Sequence, residues 1–148
     1  SAFRARDFLV ASGGAVGADQ FALSALVEQG ASASGVVFSA WSLVSGFSVS
    51  VQPSVGRFLA AGGRVVWGSA SAGASRQQVV SALLGRNQHL VVACSCLVAF
   101  LHGPSRGTLF TVRQAVRRGI PVYVFLCGGA SLPADLASHC FVLQKEVV

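Results

Sequence analysis

Short apolar runs rich in β-branched and aromatic residues alternate along the chain with stretches of helical period. Phe8–Ser12, Val36–Ser39, Arg64–Trp67, Leu97–Leu101 and Val122–Leu126 read as strands, and Phe141–Leu143 as a weaker sixth. Strands interleaved with helices need crossovers, and crossovers make a parallel sheet. Several of the runs are apolar without alternation, the pattern of strands covered on both faces. The expected class is therefore α/β, a doubly wound parallel sheet with helices on both faces, formed by residues 1–148 as one domain.

The helical stretches carry their own start and stop signals. Asp19–Gln29 has an apolar stripe of Phe21, Ala22, Ala25 and Leu26, and Gly30 follows it. Pro53 opens a second, with Val55, Phe58 and Leu59 inward and Gly62-Gly63 at its end. Ser75-Arg76-Gln77-Gln78 matches a capping box ahead of Val79, Leu83 and Leu84. Asn87 then reads as the cap of a short fourth helix reaching Cys94. The fifth runs from Thr108 to Arg118, and Gly119 and Pro121 terminate it.

Composition narrows the class. The chain has 148 residues, 53% hydrophobic and 11% charged, which excludes intrinsic disorder. Eleven basic residues against five acidic give a net charge of +6, and ten of the eleven are Arg, whose planar fork suits phosphate. Anionic partners are favoured over cationic ones. The most apolar run, Leu90–Leu101, falls far short of the roughly 20 residues a membrane span needs. No signal-peptide pattern follows Ser1, and with no Met in the sequence an initiator residue is expected upstream. Cys94, Cys96, Cys127 and Cys140 form no C-x-x-C pair, so reduced thiols in a soluble, cytoplasmic protein are expected, with no metal and no membrane partner.

Two glycine-rich turns concentrate the candidate chemistry. Phe8–Ser12 runs into Gly13-Gly14-Ala15-Val16-Gly17-Ala18-Asp19, and Leu97–Leu101 into His102-Gly103-Pro104-Ser105-Arg106-Gly107-Thr108. Both are strand-to-helix turns and so belong at the carboxyl edge of a parallel sheet, where open α/β folds bind ligands. Glycine lets backbone N–H groups approach an anion, and a helix N-terminus adds about half a positive charge. The pair predicts a phosphate cradle with Arg106 as a clamp; Ser105 and Thr108 either donate to the same oxygens or cap the helix. Neither turn is a P-loop, because G-x-x-x-x-G-K-[ST] is absent and Lys145 is the sole lysine; nor does the first match G-x-G-x-x-G. Arg113, Arg117 and Arg118 are explained by the helix dipole.

These residues, with Gly85-Arg86-Asn87, Leu97-Val98-Ala99-Phe100, Ala115, Gly119 and Pro121-Val122, resemble the SLOG superfamily of Rossmann-like nucleotide-binding proteins. That superfamily includes the lysine-decarboxylase-like LOG proteins and DNA-processing protein A. Gly17-Ala18-Asp19 beside Gly13-Gly14 is most similar to its YspA-related branch. The resemblance runs from about Phe8 to about Cys127 and implies a Rossmann-like sheet, here lacking a counterpart before Phe3 of the family's first strand. A strand and a pocket wall would then come from elsewhere, and a homo-oligomer is expected.

By matching position the resemblance implicates Gly13, Gly14, Gly17, Asp19, Arg86, Asn87, Gly103, Ser105, Arg106, Gly107 and Thr108 in holding a nucleotide's phosphate and ribose, with Asp19 either at a ribose hydroxyl or serving the electrostatics of its own helix start. Trp41 is an aromatic able to stack on a base or to fill the core rim. The implied function is binding or sensing of a nucleotide or nucleotide-derived ligand, with no added cofactor. Two alternatives stand beside it. One is a phosphoribohydrolase acting on nucleoside 5′-monophosphates, although the LOG signature P-G-G-x-G-T-x-x-E ends here in Thr111 where its Glu belongs, and no catalytic residue is assigned. A catalytic His102 is weighed against a loop histidine. The other alternative is single-stranded DNA binding, which needs a basic track and exposed aromatic rings.

Overall fold

The computed structural model describes residues 9–14, 17–71 and 73–144. Phe8, Ala15, Val16, the region before Phe3 and Lys145, all used in the sequence reading, lie outside them. The architecture is α/β and compatible with a Rossmann-like fold: among the described residues, six parallel strands form two three-stranded sheets, flanked by helices. The chain divides into two compact units, Ser1–Leu90 and Val91–Val148.

The first unit is a βαβαβ arrangement of β1 (Val10–Ser12), α1 (Ala18–Glu28), β2 (Gly35–Phe38), α2 (Gln52–Ala60) and β3 (Arg64–Val66), with β2 between β1 and β3. Register pairs Val10 with Gly35 and Val36 with Arg64. Its core joins Leu23 and Leu26 of α1, Val37 of β2, and Val55 and Phe58 of α2 to Phe47 and Val51 from the segment before α2. The Phe58 ring sits fully buried in this cluster. The stripe expected on α1 is corrected: Phe21 is 76% exposed and Ala25 is exposed, and the face turned to the core runs through Leu23 and Leu26 three positions apart. Gly35 makes room for it, since a Cβ there would lie 2.8 Å from Phe58 Cε2.

The helix signals held where they are local. Ser75 N–H donates to Gln78 Oε1 (2.8 Å) and Gln78 N–H to Ser75 Oγ (3.2 Å), a closed capping box at the start of α3 (Arg76–Ala93). Gly119 closes the later helix α4 (Arg106–Arg118) in the left-handed conformation, φ 78°, with its N–H on Val116 O and that of Ile120 on Ala115 O. One boundary is corrected. Asn87 caps nothing: Gly85-Arg86-Asn87 lies inside the single 18-residue α3 rather than between two helices. A helix-interior glycine costs only about 1 kcal/mol relative to Ala, too little to break a helix flanked by good formers on both sides.

The second unit repeats the βαβαβ arrangement with β4 (Leu97–His102), α4, β5 (Val122–Cys127), the four-residue α5 (Ala134–Ala137) and β6 (Phe141–Gln144), and β5 is central. The strands are apolar throughout, but burial alternates. Leu97, Ala99, Leu101, Val122 and Val124 are buried, and α4, with Val112 and Ala115 buried, packs on β4 and β5. The opposite parity carries Val98, Phe100, Tyr123 and Phe125, all partly exposed. Among the described residues, no helix is long and apolar enough to cross a membrane, and the four cysteines are free.

Candidate anion-binding site

The turn after β1 is shaped by its glycines. Ser12, buried at the strand end, accepts the Gly14 N–H at 3.3 Å. Gly14 has φ +69°, and a Cβ on it would lie 2.6 Å from Phe47 Cε1, so the backbone presses directly onto the core aromatic. Gly17, φ 102°, is the N-cap of α1 and makes no side-chain cap hydrogen bond. A helix start of this kind favours negative charge through its N–H groups and the positive end of its dipole.

Arg86 reaches this turn from α3, and its Nη1 donates to the carbonyl of Gly13. A Cβ on Gly13 would collide with the guanidinium, so the bare Cα is what admits it. Burial pushes the Arg86 pKa below its ordinary value, while the carboxylate of Asp19, in the first turn of α1, holds it up. Arg86 Nε is buried with no hydrogen-bond partner among the described residues, a donor already stripped of water. The structure thus brings together Gly13, Gly14, Gly17, Asp19 and Arg86. Asn87 is one step, about 100°, further round the helix.

Beside Arg86 lies a cleft of about 820 Å³ between α3 and the turns after β2 and β3, again at the carboxyl edge of a parallel sheet. Its floor is stitched by backbone bonds: Gly68 N–H to Trp41 O (2.9 Å), Ala70 N–H to Ala40 O (3.0 Å) and Ser42 N–H to Ala70 O (2.9 Å). The wall on α3 includes Ala82, Gly85, Arg86 and His89. Sequence reasoning passed over these turns. The signal was present, because Gly68-Ser69-Ala70-Ser71 is a third glycine- and serine-containing strand-to-helix turn of the same type as the two that were read. Trp41, considered for base stacking, packs against the core cluster instead, its Cβ lying 2.5 Å from where a Cβ on Gly46 would stand.

In the second unit the turn after β4 holds Gly103, Ser105, Arg106, Gly107 and Thr108 together, but its donors are differently committed. Ser105 is the N-cap of α4: its Oγ accepts the Thr108 N–H at 3.4 Å and donates to Thr108 Oγ1 at 2.9 Å. The capping alternative for Ser105 therefore holds. Arg106 is solvent-exposed at the first position of α4. His102 lies against Gly128, where a Cβ would stand 2.7 Å from its Nε2. Thr111 Oγ1 donates to Gly107 O at 3.0 Å, bonding back onto its own helix. Compared with known proteins, the chain matches no family model, no curated protein and no solved structure.

Proposed function

We propose that the protein is a binding or sensing domain of the SLOG type for a nucleotide or nucleotide-derived ligand, with the phosphate held at the N-terminus of α1 under Arg86. The observation that carries this is the Arg86 guanidinium seated on Gly13 beside a helix start with no side-chain cap. A binding role is preferred to phosphoribohydrolase turnover because the Thr111 hydroxyl is spent on Gly107 O and no carboxylate stands in its place. The free thiols fit a reducing, cytoplasmic compartment.

A thermal-shift panel of nucleoside monophosphates, cyclic nucleotides and ADP-ribose derivatives tests it. At 100-fold over Kd a ligand stabilises by about 2.7 kcal/mol, a Tm rise of several degrees at this size. The rise should vanish in Arg86→Ala. No response to any member of the panel overturns the proposal.

A second reading, single-stranded nucleic acid binding, is favoured by one observation. Phe100 stacks on Phe125 and Tyr123 on Phe141, centroids 5.0 Å apart in both pairs, on strand positions that remain partly exposed. Arg and Lys are absent from the same face of the described strands, which sets the nucleotide reading ahead. Filter binding over a salt series separates the two, because nucleic acid binding must weaken steeply as salt rises.

A further inference from the structure

We infer that the bare face of the second sheet is where two copies of this chain meet, stacked sheet on sheet about a two-fold axis. The inference goes beyond ligand binding and does not depend on the Arg86 turn. Strand order explains why the face is bare. β4, β5 and β6 lie side by side in chain order, so both crossovers run the same way across the sheet, and right-handed connections put α4 and α5 on one face. On that side Val112 and Ala115 of α4 and Leu136 of α5 are buried. Neither connection leaves a helix for the opposite face, although a parallel sheet is normally covered on both.

That opposite face is an apolar grid. Register sets Val98, Tyr123 and Phe141 in one row and Phe100, Phe125 and Leu143 in the next, and the six are 36–61% exposed. Phe100 lies flat on Phe125 and Tyr123 on Phe141, the ring planes 15° and 19° apart, so these side chains are already ordered and lose little freedom when covered. At roughly 200 Å² for each aromatic, and somewhat less for Val and Leu, the six leave about 500 Å² of apolar surface, near the upper end for a monomer. Two such faces together bury about 1,000 Å², the size at which specific interfaces begin. Charge selects the second copy as occupant. The described residues of β4, β5 and β6 include no Asp, Glu, Lys or Arg, so a polyanion finds no cation there and a charged peptide no counter-charge. Chains of net charge +6 repel one another least where the meeting surfaces are neutral, and this face is neutral. Sheets stacked face to face pack about 10 Å apart, and a two-fold axis sets each apolar grid against its own copy.

Sedimentation velocity of the 148-residue chain over about 1–200 μM, before and after nuclease treatment, tests this. The unaltered protein should form a dimer with a Kd of about micromolar order, as an interface of this size gives, and nuclease should not change it. Phe100→Glu and Phe100→Lys should each weaken the dimer about a hundredfold or more, because either charge is buried twice in a two-fold contact. Val49→Glu, at an exposed apolar position of the first unit, should leave it intact. The Tm of each variant verifies folding; should the Phe100 variants not fold, Phe141→Glu, at the most exposed position of the grid, gives the same readout. A chain that stays monomeric at every concentration overturns the inference. So does a dimer indifferent to the grid substitutions, or one that Val49→Glu weakens equally. An assembly that nuclease abolishes and Phe100→Lys strengthens would give the face to nucleic acid and overturn it as well.

Discussion

Arg86 donates through Nη1 to the carbonyl of Gly13, a residue 73 positions earlier in the chain, and so ties the middle of α3 to the turn after β1. The bond depends on two sequence features at once. Position 13 must lack a Cβ, and the helix must pass through positions 85–87 without breaking. Because Asp19 supports the cation from the start of α1, the guanidinium also joins the two helices that border the candidate anion site.

Arg86→Ala should therefore do two separable things. It removes a charge-assisted hydrogen bond, worth about 1.5–3 kcal/mol, and Tm should fall accordingly. It should also abolish ligand-dependent stabilisation. Arg86→Lys keeps the charge without the planar fork and should recover part of the Tm but little of the ligand response. Thermal denaturation of the three proteins with and without ligand checks both effects.

Phe58 stands at the centre of the first unit's core, fully buried between both helices and β2. Truncation to Ala leaves a cavity that α1 and α2 cannot close, and a cost of about 3–5 kcal/mol is expected. Denaturant titration should show a lower midpoint for the transition that reports on Trp41, which packs against the same cluster. A loss below 1 kcal/mol would contradict the packing described.

What was legible in the sequence is what is decided within a few residues. The capping box at Ser75 and Gln78 and the glycine at 119 both act over three to five positions, and both formed as read. Strands were legible because β-branched runs bounded by glycine leave few alternatives. No boundary forms at Asn87 because a Gly-Arg-Asn triplet is a weak breaker whose cost the rest of α3 overrides. At the site, the glycine turn after β1 was found, while the cleft was not: its wall is assembled from the turns after β2 and β3 and from α3, and only folding juxtaposes them. Ser105 illustrates a third case, where one hydroxyl suits a cap and a ligand equally until the Thr108 geometry decides.

Cys94 and Cys96 should differ in reactivity although one residue separates them. Burial pushes the Cys94 thiol pKa up, the neighbouring Cys96 adds to that, and Arg118 opposes it. Cys96 is exposed. Alkylation at pH 8 followed by mass spectrometry should label Cys96 first. The sign for stability follows: a thiol that holds its proton more tightly when folded contributes fully at pH values below the unfolded pKa and loses that contribution as pH rises through the folded value. Tm should decline above about pH 9, less so in Cys94→Ala.

Two helix-interior glycines allow the cleft to be probed without disturbing the fold. Gly56 in α2 and Gly85 in α3 both have open space where a Cβ would stand. Helix propensity alone says that Ala at either position stabilises, by about 1 kcal/mol. Gly56→Ala should raise Tm and leave ligand binding untouched. Gly85 is in the cleft wall next to Arg86, so a methyl group there occupies space that a bound molecule would use. Gly85→Ala should raise Tm of the free protein by a similar amount yet weaken binding of the same ligand severalfold. That opposition of stability and affinity at one position, absent at the other, is the mark of a glycine kept for close approach rather than for the helix; equal affinity in both variants would mean that nothing binds against this stretch of α3.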